Sequence, residues 1–261
     1  MAVYIHSAQT ISPQDTFLKN CVPDTFVEHT SPLTCLKINF KDYLPPLQAR
    51  RISRMIKNCH ACAIETINAV EPAQPDAIIT ASGLGCIEPT EKFLNDMLKT
   101  DEGLLAPTSF IQSTSNAVGG QLALHYKCNG YNVLYAQKSL SFESALLDAY
   151  LRLEDKEETN ILVGGFDEIT KENCALKQNI GLFKNNTFLT SDIPSYKSEG
   201  AIPGESASFF LLSSKENQNA LAKIGFTMAS NGTKGIQESI EWIETSLTNI
   251  GLSCKDIDIL L

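Results

Sequence analysis

The sequence predicts an α/β fold with a largely parallel sheet, and three observations carry that expectation. Short apolar runs bounded by turn residues alternate with amphipathic stretches along the chain, the signature of strands joined by helices. One segment, Asn132 to Glu168, has the layout of a complete βαβ unit of roughly 30 residues. The third is composition. With 43% hydrophobic and 20% charged residues over 261 positions, the chain is ordinary globular material, long enough for one large domain or two fused halves.

In order, Ala2 to His6 reads as an opening strand, and Ile11 to Thr34 as irregular, being polar and proline-bearing. A long helix is predicted from Pro46 to Val70, with Ile52, Met55, Ile56, Cys59, Ala63, Ile64 and Ile67 on one face. Pro45-Pro46 suits its first turn, and Pro72 and Pro75 close it. Asp76 to Ser82 is a short buried strand ending in the turn Gly83-Leu-Gly-Cys86, and a helix follows from about Thr90. The segment from Pro107 turns from a Ser/Thr-rich loop into a helix with small residues at Ala117, Gly119, Gly120 and Ala123.

The βαβ unit comes next. Its first strand, Asn132 to Gln137, stops abruptly at Gln137-Lys138-Ser139-Leu140-Ser141. A helix follows, with Ala145, Leu146, Ala149, Leu151 and Leu153 as its apolar face. Ile161-Leu-Val163 then run into Gly164-Gly165, read as a structural turn. Residues 170–200 are polar, and Thr190 to Gly204 read as a loop. Ser206–Leu212 and Lys223–Ala229 form a predicted hairpin, Gly235–Ile250 a helix, and Asp256–Leu261 a last strand.

A net charge of −9 argues against nucleic acid or an anionic membrane as the main partner. The densest basic cluster is Arg50, Arg51, Arg54 and Lys57. Eight scattered cysteines and no secretory leader predict reduced thiols and a cytoplasmic protein. No apolar run approaches the ~20 residues of a membrane span.

Cys59-His60-Ala-Cys62 has the spacing of half a zinc site, but it lies inside a predicted helix with no second pair to complete a tetrahedron. Core packing is the expectation there, with no metal. The glycines match neither a dinucleotide fingerprint nor a phosphate loop, so no cofactor is expected. In a βαβ unit, the first turn sits where α/β proteins place nucleophiles and bind anions. Here that turn offers Ser139 and Ser141 and no cysteine, and all four histidines lie upstream of it. The scaffold looks built for a nucleophile, and the nucleophile looks absent.

These residues resemble the β-ketoacyl synthases, the condensing enzymes of fatty-acid and polyketide synthesis. Ser139 to Ala149 sits where the family has a cysteine-led turn and helix, and Gly164-Gly165-Phe-Asp-Glu168 falls at the expected distance. Ser82 to Gly85, Asn116 to Ala123 and Gly204 to Ala207 match in the family's order. The resemblance implies a thiolase-like (αβαβα layered) condensing-enzyme fold, as its first half plus the beginning of the second, divided near 204/205. It also implies that Ser139 occupies the nucleophile position, and that the family's two catalytic histidines lie beyond residue 261.

What it implies functionally is a non-catalytic chain-length-factor subunit, as in aryl-polyene or flexirubin-like pathways. Such a subunit would pair with an active ketosynthase, through Asn116, Val133, Leu134, Tyr135 and Gln137. It would meet an acidic acyl carrier protein at Arg50, Arg51 and Arg54. Two rivals stand beside it: an active acyltransferase or hydrolase using Ser139 or Cys86, and a structural homodimer.

Overall fold

The computed structural model describes residues 2–19, 23–70, 74–230 and 235–259. They belong to two compact units, 1–228 and 229–261. No helix among the described residues is long and apolar enough to cross a membrane.

The first unit is built on one six-stranded sheet. Its strands are β1 (Val3–Ile11), β2 (Ala77–Ala81), β3 (Asn132–Tyr135), β4 (Asn160–Asp167), β5 (Ser206–Ser213) and β6 (Ala222–Ile224), in the spatial order β3-β2-β4-β5-β1-β6. The sheet is mixed rather than largely parallel. β2 runs parallel to β3 and β4, while β4–β5, β5–β1 and β1–β6 are antiparallel. Asp167 and Ser206 are register partners, so residues 168–205 are an excursion from one end of the sheet, not a crossover. The predicted hairpin does not form either: β1 lies between β5 and β6 and pairs with both. The expected division near 204/205 falls just before β5, a central strand of this sheet.

Alternation along β2 and β4 builds the two layers of the core. Ile78, Leu162 and Phe166 face one cluster with Met55, Ile56, Cys59 and Leu122; Ile79, Ile161 and Val163 face the other, with Ala145, Ala149 and Leu153. That is the period-2 geometry of a sheet covered on both faces. Helices α2 (Arg54–Asn68) and α5 (Ala117–Tyr126) supply the first cover, and α6 (Ser141–Glu154) the second. On α6 the buried positions are Ser141, Ala145, Ala149 and Leu153, whereas Leu151 faces outward.

The predicted helix 46–70 is two pieces, α1 (Pro46–Ala49) and α2. Ser53 breaks it by capping α2, its hydroxyl accepting from the Ile56 amide at 3.3 Å. Gln112 staples the break, accepting from the Ser53 amide at 3.1 Å and donating to the Arg51 carbonyl. α2 ends at Asn68, and Pro72 lies outside the described residues.

α3 (Ile87–Lys99) starts three residues earlier than expected, because the Thr90 hydroxyl bonds the Cys86 carbonyl at 2.6 Å instead of capping. α4 (Pro107–Ser113) is helical where a loop is expected. So is α7 (Lys171–Asn179), started by Thr170, whose hydroxyl accepts from the Asn173 amide at 3.2 Å.

Gly164 and Gly165 are not a turn. Both lie inside β4, opposite Thr80 and Ala81 on one side and Phe209 and Ser208 on the other. The reason for glycine at 164 is a close approach: a Cβ there would sit 2.2 Å from the buried Phe209 ring. At 165 it would meet Phe142 at 3.0 Å.

The second unit holds α8 (Ile236–Asn249), ended by Gly251 at φ +78°, with the Leu252 amide donating back to the Leu247 carbonyl at 2.9 Å. The expected strand 256–261 is absent over its described part. Ser253 instead caps a 3-10 turn at Cys254–Asp256, and Leu260 and Leu261 lie outside the described residues.

Candidate functional site

The carboxyl ends of β2, β3 and β4 come together beside the start of β5, and an open cavity of about 410 Å³ lies there. Ser82, Lys138, Ser139, Glu143 and Asp167 contribute to its polar lining, and Phe142, Phe166 and Phe210 to its apolar lining. The turn after β3 is drawn tight by Ser141. Its hydroxyl accepts from the Gln137 amide at 2.8 Å and lies 2.9 Å from the Ser82 carbonyl and 2.8 Å from that of Lys138. Lys138 takes a left-handed backbone, φ +56°, uncommon for a residue with a Cβ and typical of turns at sites. Ser139 follows it and is exposed.

The loop after β2 is clipped to the end of β4. Asp167 Oδ1 accepts from the Ser82 hydroxyl at 3.0 Å and from the Gly83 amide at 2.9 Å, and Ser82 accepts from the Gly85 amide at 2.8 Å. Burial raises the Asp167 carboxyl above its ordinary range, against the pull of those donors. Glycine at 85 is required by φ +78° and by Ser115 only 3.0 Å from where a Cβ would be.

No histidine lines this cavity. His60 on α2 is edge-on to His125 on α5 at 5.6 Å, and burial, then His125, lowers it to about 4, so it is neutral in the core. His6 Nε2 is 2.8 Å from the Lys215 carbonyl. The backbone at His29 bonds to Thr190. Among the described residues, then, no imidazole stands at Ser139. Cys86 is 1% exposed, and burial followed by the Glu168 carboxylate pushes its thiol up to about 12, which leaves no thiolate near neutrality. Cys59, His60 and Cys62 are all buried, and among the described residues no group of three or more His, Cys, Asp or Glu converges as metal ligands.

The basic cluster is split. Arg54 turns inward and makes a bidentate pair with Glu205, at 2.7 and 2.5 Å. Arg50 and Arg51 remain, lining a cleft of about 340 Å³ with Lys92 and Glu88 of α3 and with Thr108 and Ser109 of α4. Lys92 was not visible from sequence spacing, because α3 reaches the cleft only in the tertiary fold.

At the other candidate surface, β3 is an edge strand of the sheet. Val133 and Tyr135 pack against the α6 cluster and Leu134 against the α2 cluster, so the strand offers its backbone rather than its side chains. Asn132 is tied to α5, donating to the Gly119 carbonyl at 2.9 Å. Asn116 precedes α5, its carbonyl accepting from the Gly120 amide at 3.0 Å. Gln137 lies past the strand, in the turn, and accepts from the Ser144 hydroxyl at 2.9 Å.

Comparison with known proteins agrees with this architecture. No curated protein matches the sequence. Among solved structures, one similar chain is in a ketosynthase, ApeO, in complex with its chain length factor, ApeC, from Xenorhabdus doucetiae: TM-score 0.56, 18% identity, covering 82% of this chain and 80% of that one. Another is the ishigamide ketosynthase/chain length factor, with TM-score 0.61, 14% identity and coverage of 82% and 62%. A third is a β-ketoacyl synthase from Burkholderia phymatum STM815, with TM-score 0.63, 14% identity and coverage of 81% and 59%. This chain therefore spans less than two thirds of the latter two. At these identities the likeness establishes a thiolase-like fold covering the N-terminal half. A family model, β-ketoacyl synthase, N-terminal domain, matches residues 31–176, more than half of the sequence, and the chain belongs to that family.

Proposed function

We propose that the chain is a non-catalytic, chain-length-factor type subunit that pairs with an active ketosynthase in polyketide-type synthesis, of the aryl-polyene or flexirubin-like kind. The observation that carries this reading is the turn after β3: its exposed Ser139 has no histidine at the cavity, and Cys86 is buried with its thiol pushed up. A hydroxyl without a base is a weak nucleophile at neutral pH, so a condensing role falls to the partner.

Pairing is assigned to the open edge of β3, where unpaired backbone groups can accept another strand. The small-residue helix α5 makes contact with β3 and would continue the same surface. The acyl carrier protein is assigned to the cleft of Arg50, Arg51 and Lys92, whose cations suit an acidic carrier. Two of the similar structures are ketosynthase–chain length factor pairs, and a further one is an acyl-carrier protein in complex with its ketosynthase.

Co-expression with a ketosynthase, followed by size-exclusion chromatography and labelling with serine- and thiol-reactive probes, tests the reading. A heterodimer unlabelled at Ser139 and Cys86 is expected. Stoichiometric labelling at either would make the chain an enzyme, and elution only as a self-dimer would favour the structural homodimer.

A further inference from the structure

Glu168 follows the last residue of β4 and has so far entered only as a charged neighbour of Cys86. It is 8% exposed. Its Oε1 accepts from the Glu88 amide at 2.9 Å, in the first turn of α3. Cys86, at the cap position of α3, gives the helix no side-chain cap, so Glu168 supplies one from a distant strand. Its other oxygen, Oε2, is buried and has no hydrogen-bond partner.

The charged and titratable groups around it make ionisation costly. Glu88 on α3 and Glu205 before β5 are like charges that oppose it; Arg54 on α2 favours it, yet that guanidinium is already engaged by Glu205. Cys59 on α2 and Cys86 are thiols whose own ionisation Glu168 opposes, and burial keeps both neutral. A buried carboxylate with one donor, one empty oxygen and two neighbouring carboxylates is an unfavourable state.

We propose that Glu168 is a pH-responsive clasp between the end of β4 and the start of α3, tight when protonated and loosened by ionisation. Burial first, against the Glu88 amide and with the Glu88 carboxylate, raises its carboxyl from 4.5 to about 7. The sign follows from linkage. The native state holds this proton more tightly than the opened state, so the stabilisation is complete below about pH 4.5 and is lost as pH rises through about 7. The clasp governs more than one helix turn. Glu88, Pro89 and Lys92 of α3 form one wall of the basic cleft, so the cleft is braced in acid and relaxed above neutrality. This holds whatever the cleft binds.

Hydrogen exchange of the whole chain, read at the amides of residues 87, 88 and 90–92 and corrected for intrinsic rates, tests it. Local opening is expected to rise about tenfold between pH 6 and pH 8 in the wild type. In Glu168→Gln, which keeps an acceptor for the Glu88 amide but cannot ionise, it should stay flat. Should that variant fail to fold, Glu88→Gln serves instead: removing a like charge should move the midpoint to lower pH. A wild-type change below about twofold overturns the proposal. So does an equal change in Glu168→Gln, or an unmoved midpoint in Glu88→Gln.

Discussion

Arg54 and Glu205 form a two-pronged ion pair across 151 residues of sequence, with the Glu205 side chain wholly shielded and that of Arg54 42% exposed. Glu205 also accepts from the Cys35 amide at 3.0 Å and the Ile169 amide at 3.1 Å. One carboxylate thus ties α2, the irregular N-terminal segment and the start of the excursion after β4 to the strand β5. Burial alone would raise Glu205, but Arg54 and the two amides outweigh it and hold the carboxyl below its ordinary range.

Removing the cation should therefore be costly and should reverse a pH dependence. Arg54→Met is expected to destabilise the protein by about 3 kcal/mol, the low end for stranding one member of a buried pair, because Arg54 itself is partly solvated. In the wild type, the lowered Glu205 contributes stability above about pH 4.5 that is lost as pH falls. In Arg54→Met the stranded acid should prefer its neutral form, so Glu205 should then favour acid. Urea unfolding from pH 4 to 8 reads both effects, and unchanged curves would refute the pairing.

The Gly164–Phe209 contact makes a second prediction. Gly164→Ala puts a carbon where the Phe209 ring lies, and should cost about 1–3 kcal/mol by overpacking. Gly165→Ala, which meets only the edge of Phe142, should cost less. Combining Gly164→Ala with Phe209→Leu should recover part of the loss, because the ring that blocks the methyl is gone. Thermal unfolding of wild type, Gly164→Ala, Gly165→Ala, Phe209→Leu and the double variant decides it; strict additivity in the double variant would exclude the clash.

Ser139→Ala is expected to leave condensation by an assembled ketosynthase complex within about threefold of wild type, since an unactivated hydroxyl supplies little of a covalent step. A loss of about 100-fold with the fold intact, near 2.7 kcal/mol, would mean the hydroxyl is catalytic.

The open backbone edge of β3 can be tested separately from its side-chain contacts. The carbonyls of Tyr131 and Tyr135 bond to β2, so by period 2 the backbone of Asn132 and Leu134 faces the open side. Asn132→Pro removes one outward N–H, whereas Asn132→Ala removes only the side-chain bond to Gly119. Weaker pairing with a ketosynthase in the proline variant than in the alanine variant, by about tenfold or 1.4 kcal/mol, is expected in sedimentation equilibrium. Equal affinities would move the interface elsewhere.

How much of this could be read from sequence depended on how local the determinants were. The βαβ unit was legible because Val133–Tyr135, Ala145–Leu153 and Ile161–Val163 each carry their own period. The break between α1 and α2 was hidden, since Ile52 and Met55 continue the apolar pattern across it, and Gln112 holds it from 59 residues away. α7 has only Cys174 buried, and rests on a cap rather than on an apolar stripe. At the site, Ser139 and its turn were found. The inward rotation of Arg54 and the arrival of Lys92 were not, because Glu205 and α3 reach them only through the fold.

The position of β1 between β5 and β6 also dictates an order of events during synthesis. Thr10 and Ser208 share a hydrogen bond across 198 residues, so β1 must wait for β5 before its ladder can close. Until then β4 shows one unpaired rim and β1 two, and both strands carry apolar residues that would template wrong pairings. Long-range closure of this kind is slow, and the nascent chain is at its most vulnerable to self-association while residues 206–213 are still inside the ribosome.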